Sequence, residues 1–82
     1  MNMDKQIKVE YTDNTDYRDE MFFSDMESAK KYIEEELDNT KEYFDGRDYD
    51  YSDYSYGNGG MMTKIWDNYS DEWAMWTVDK IR

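Results

Sequence analysis

Residues 24–46 read SDMESAKKYIEEELDNTKEYFDG, and this stretch decides the fold. Its apolar residues Met26, Ala29, Ile33, Leu37 and Phe44 recur at helical spacing and line one stripe. Ser24 with Glu27 three positions on fits a capping box, in which each side chain satisfies a backbone donor that the first helical turn leaves orphaned. Gly46 supplies a left-handed stop, while Asn39-Thr40 weakens the middle. The spacing therefore predicts one helix that ends either near Asp38 or at Gly46.

The flanking segments change period from 3.6 to 2. Upstream, Ile7, Val9 and Tyr11 alternate with Lys8 and Glu10, the mark of a half-buried strand over 5–12. Asp13-Asn14-Thr15-Asp16 is turn chemistry, because Asn and Asp bond their own backbone and tolerate positive φ. Tyr17, Met21 and Phe23 resume the alternation, so a hairpin is expected. Downstream, 61–66 and 73–81 are β-rich and separated by the turn cluster Asp67-Asn68-Tyr69-Ser70-Asp71. Ala74, Trp76 and Val78 face one way in the last strand, and Trp73, Met75 and Thr77 the other. Both faces carry a tryptophan, so an exposed one would mark a binding surface. Between helix and tail, 47–56 reads RDYDYSDYSY, either a strand with a bulge between Ser52 and Asp53 or an irregular polar loop. Gly57-Asn58-Gly59-Gly60 then makes a hairpin turn or a flexible corner. The order is β-β-α-β-β-β: an α+β single domain over 1–82, one helix packed on an antiparallel sheet.

Composition narrows the function. The 82 residues carry 21 acidic and 10 basic side chains, a net charge of −11, with no Cys, His or Pro. Disulfides, zinc fingers and His- or Cys-based catalysis are thereby excluded. Direct nucleic-acid binding is disfavoured, since phosphates would be repelled. Apolar runs such as Met21-Phe22-Phe23 are only a few residues long, against about 20 residues for a membrane helix. No targeting segment is recognisable, which predicts a cytoplasmic protein. Leu, Ile, Val and Phe total 10 of 82 residues, so aromatic and methionine side chains must supply much of the core.

Catalysis is not expected: paired carboxylates are the one enzymatic device these residue types allow, and so short a chain hosts no sizeable cleft. Nor is a metal or other cofactor. Asp48-Tyr49-Asp50-Tyr51-Ser52 starts like a calcium loop, but positions six and twelve are Asp53 and Gly59 where Gly and Glu are required. The helix surface bears Glu34, Glu35, Asp38 and Glu42. A solvated face explains them as well as a binding role, yet Glu34–Asp38 and Asp38–Glu42 are like-charged i,i+4 pairs that cost a few tenths of a kcal/mol each. In the tyrosine-aspartate tract, an extended chain sets Asp48 and Asp50 about 6.6 Å apart on one face. Successive phosphates of a DNA strand are spaced on the order of 6–7 Å. Neighbouring tyrosines add contact area typical of interface hot spots.

The size, the charge, the absence of Cys and His and the acidic-aromatic tract Asp48–Tyr56 resemble the small acidic phage proteins that mimic DNA, such as anti-CRISPR and anti-restriction proteins. The resemblance implies an inhibitor filling the nucleic-acid site of a basic host nuclease, with Cas9 the first candidate partner. The implied contact residues are Asp48, Asp50 and Asp53, then Glu34, Glu35, Asp38 and Glu42, with Tyr49, Tyr51 and Tyr54 as apolar anchors. An immunity protein or antitoxin against a basic toxin, or a structural or regulatory phage protein, fits the composition as well. The sequence is silent on oligomeric state.

Overall fold

A computed structural model of the chain describes residues 6–56 and 60–80, without the side chains of Tyr54 and Tyr56. Six elements follow in order: β1 (Ile7–Asp13), β2 (Arg18–Phe23), α1 (Met26–Tyr43), β3 (Tyr49–Tyr56), β4 (Gly60–Asp67) and β5 (Trp73–Lys80). The strands form one antiparallel sheet in the order β2-β1-β5-β4-β3, so the last strand inserts beside the first and joins two hairpins. The expected α+β architecture, one helix on an antiparallel sheet, is the one observed.

The helix is capped one residue later than the sequence suggests. Asp25, not Ser24, is the N-cap: its backbone is extended (φ −144°, ψ 164°) and its carboxylate accepts the Ser28 N–H at 2.8 Å. An ionised acceptor at a helix N-terminus also meets the positive end of the helix dipole, which favours Asp over Ser here. That N–H bond holds the Asp25 carboxyl below its ordinary pKa. Asn39-Thr40 does not end the helix, because Thr40 turns its hydroxyl back onto the Glu36 carbonyl at 2.9 Å and the backbone ladder continues. The helix closes at Phe44, and Gly46 takes the left-handed turn at φ +84°.

Ala29, Ile33, Leu37 and Phe44 seat the helix on the inward side chains of β1, β4 and β5: Ile7, Val9, Ile65, Ala74, Trp76 and Val78. Trp76, 1% exposed, is the largest of these, and its ring packs against Tyr11 at 5.4 Å between centroids. Among the described residues the buried Trp76 indole N–H meets no acceptor. Tyr49, Tyr32 and Phe23 extend the core at its margins, the aromatic supplement that the shortage of aliphatics requires.

The tyrosine-aspartate tract is a regular strand. From Tyr49↔Asp67 to Tyr56↔Gly60 the register advances without interruption, so there is no bulge between Ser52 and Asp53 and no polar loop. Pairing with β4, itself anchored on β5, fixes a sequence in which Asp and Ser residues interrupt the strand propensity of the tyrosines. The glycine-rich corner at 57–59 lies outside the described residues. Among the described residues no helix is long and apolar enough to cross a membrane.

Candidate partner-binding surface

Because β3 is unbroken, its side chains divide strictly by parity. Tyr49, Tyr51 and Asp53 stand on the helix side, in line with Ile65 and Thr63 of β4, while Asp50 and Ser52 stand on the opposite face. The structure therefore separates Asp53 from Asp50, and the predicted aspartates do not form one row. Asp53 instead accepts the hydroxyl of the buried Thr63 at 2.8 Å.

Asp48 and Asp50 do stay together, through a residue the sequence reading did not single out. The Asn68 side-chain amide donates to Asp48 Oδ1 and to Asp50 Oδ2, each at 2.9 Å. Its carbonyl oxygen accepts the Trp66 indole N–H at 3.1 Å, and its backbone N–H bonds the Asp48 carbonyl at 2.9 Å. Two exposed carboxylates are thus fixed side by side with their orientation set before any partner arrives. Preorganisation of this kind cuts the ordering cost of binding.

The other predicted carboxylates lie along α1. Glu34, Asp38 and Glu42 follow one another at i,i+4 as a stripe on the helix, whose first and last members line depressions shared with β3. Glu34 and Asp53 line one shallow depression of about 210 Å³ with Lys30, Met61 and Thr63. Glu42 and Tyr49 line the next, with Lys41 and Asp45. Glu35 falls two positions past the buried Ile33 and sits on the exposed side of the helix, away from this groove. Tyr51 is half exposed and carries the Lys41 ammonium over its ring at 4.0 Å. Tyr49 is mostly committed to the core, its ring against Phe44 at 5.8 Å. The side chain of Tyr54 lies outside the described residues.

A second polar cluster binds the helix end to the β4–β5 turn. One nitrogen of Arg47 donates to Asp67 at 3.0 Å and to Glu72 at 2.6 Å, and the Tyr43 hydroxyl donates to Glu72 at 2.5 Å. The Tyr69 N–H, then Arg47, hold the Asp67 carboxyl below its ordinary pKa; the Tyr43 hydroxyl, then Arg47, do the same for Glu72. The same contacts raise the Arg47 pKa, Glu72 first. The bonded pairs are 20 to 29 positions apart across the helix–turn gap, and no local pattern announces the cluster. It consumes Arg47, and among the described residues no guanidinium pairs with the tract's carboxylates. Among the described residues no group of three or more carboxylates is gathered to hold a metal ion.

The three tryptophans divide as their parity implies. Trp76 is core, whereas Trp66 and Trp73 face each other across β4 and β5 on the side of the sheet that the helix leaves uncovered. The Lys64 ammonium lies 5.1 Å from the Trp73 ring. Compared with known protein families, curated proteins and solved structures, the chain matches none.

Proposed function

We propose that this chain is a DNA-mimic-type inhibitor that occupies the nucleic-acid site of a basic bacterial defence nuclease, with Cas9 the first candidate. It acts by occupancy and carries out no chemistry of its own. The observation that supports this most is the Asp48–Asn68–Asp50 arrangement, two exposed carboxylates locked within reach of one amide nitrogen. Both oxygens lie 2.9 Å from that nitrogen, so the two negative charges are held at most twice that distance apart, a little closer than successive phosphates, which are spaced on the order of 6–7 Å. The Glu34–Asp38–Glu42 stripe and the net charge of −11 add a long-range field that would speed association with a cationic groove.

The test is competition. Guide-loaded Cas9 and a panel of other basic nucleases are incubated with fluorescent duplex DNA, and displacement by the chain is read as anisotropy at low and high salt. Displacement that weakens as salt rises is expected. Reversing Asp48 and Asp50 to Lys should weaken it by at least about 100-fold, or 2.7 kcal/mol. If both reversals leave displacement of every responsive nuclease unchanged, the carboxylate pair is not the contact and the proposal falls.

A further inference from the structure

The helix covers one face of the sheet, and no other described element covers the second. From the ladder registers, that second face carries Phe22, Trp66, Trp73 and Met75 among polar neighbours. Phe22 is 43% exposed, and Trp66, Trp73 and Met75 are half-buried. Its charges nearly cancel. Lys8, Arg18 and Lys64 stand there against Glu10, Glu20, Asp50 and Asp79, and Lys8 already approaches Glu10 and Glu20 at 4.0 and 3.9 Å. The surplus of a chain at −11 therefore sits on the helix side and in the turns.

We infer that the uncovered sheet face is a self-association surface whose occupant is a second copy of this chain. Apart from the Asp48–Asp50 corner at its β3 edge, this face offers a strongly cationic partner little net charge. Two copies, by contrast, would meet with the least repulsion there, and the mixed charges allow a two-fold arrangement in which cations of each copy face carboxylates of the other. The area is sufficient but modest. Five strands at about 4.8 Å and eight residues at about 3.3 Å cover roughly 600 Å² per copy. About 1,200 Å² in total is the lower bound for a specific interface, so the dimer should dissociate on dilution. Packing sheet on sheet would turn both helices outward and leave the Glu34–Asp38–Glu42 stripes of both copies free, while Asp50 would lie at the edge of the interface, so self-association would compete with binding through the Asp48–Asp50 pair.

Sedimentation equilibrium of the full chain tests this, from about 10 to 500 µM protein, at roughly 50 and 500 mM salt. Expected is a monomer–dimer equilibrium in which salt strengthens association several-fold by screening chain–chain repulsion, the opposite of its effect on binding a basic target. Met75→Glu should weaken association at least about tenfold with its circular dichroism unchanged. As a second measurement on the unsubstituted chain, acrylamide quenching of tryptophan fluorescence should fall as concentration rises, because Trp66 and Trp73 become shielded. A mass of 10.1 kDa throughout overturns the inference. So does a dimer indifferent to both Met75→Glu and Lys64→Glu, which would be built on strand edges, or a different protein that binds this face of a monomeric chain.

Discussion

Asp53 is the carboxylate whose role the structure changes most, and its removal separates structure from binding. Asp53→Ala takes away the acceptor of the Thr63 hydroxyl, a 2.8 Å bond to a side chain that is 3% exposed. A hydrogen bond to a charged group contributes about 1.5–3 kcal/mol, and a buried hydroxyl stripped of its partner costs about 1–3 kcal/mol. Asp53 itself is exposed, so its carboxylate is partly hydrated and the lower end applies, about 1.5 kcal/mol. In a domain of this size each kcal/mol moves Tm by about 4–8 °C, which predicts a fall of roughly 6–12 °C. Loss of one surplus negative charge works in the other direction, by a few tenths of a kcal/mol. Thr63→Val removes the donor and returns the carboxylate to water, at a cost of about 0–1 kcal/mol. In the Thr63→Val background, Asp53→Ala should then cost almost nothing. Urea unfolding of the four proteins, followed by circular dichroism, gives the coupling directly, with about 1.5 kcal/mol expected. Equal costs in both backgrounds, or no cost in either, would refute the reasoning and return Asp53 to the set of free binding carboxylates.

Glu34→Gln, Asp38→Asn and Glu42→Gln should each leave stability unchanged or raise it by about 0.2–0.5 kcal/mol, since the stripe consists of like-charged i,i+4 pairs; thermal melts decide it. Trp76→Phe should cost under about 1 kcal/mol in urea titration, because lost area is offset by removing a buried N–H without a protein acceptor, whereas Trp76→Ala should cost about 3–5 kcal/mol. The carboxyls of Asp13, Asp67 and Glu72 are depressed by hydrogen bonds, so their contribution is complete above about pH 4.3 and is lost as pH falls through their folded values. Tyr11 is raised by burial and then by its bond to Asp13, so its contribution is complete below about pH 10 and is lost as pH rises beyond that. Tm scans across both limits should fall at each end; a flat acid limb would contradict the assigned bonds.

Secondary structure was legible wherever side chains alternate in polarity. The helix stripe from Met26 to Phe44, the Ile7-Val9-Tyr11 face and the split of Trp76 from Trp73 follow from period alone, because burial on one side of a helix or sheet leaves that signature. The tract at 47–56 carries no such contrast, since Tyr, Ser and Asp are all tolerable at an edge, and its strand exists through β4. The net charge and the list of candidate carboxylates were likewise available from composition. Which of them act together was not. Asp48 and Asp50 owe their fixed spacing to Asn68, 18 to 20 residues away, and Asp53 owes its separation from them to strand parity. Likewise the uncovered sheet face exists only because β5 inserts beside β1 and brings Trp66 and Trp73 onto the same side as Lys8 and Phe22. Sequence determines periodicity and total charge, which are local or additive properties. Where charge cancels and where it accumulates depends on strand order, and strand order is settled by long-range pairing.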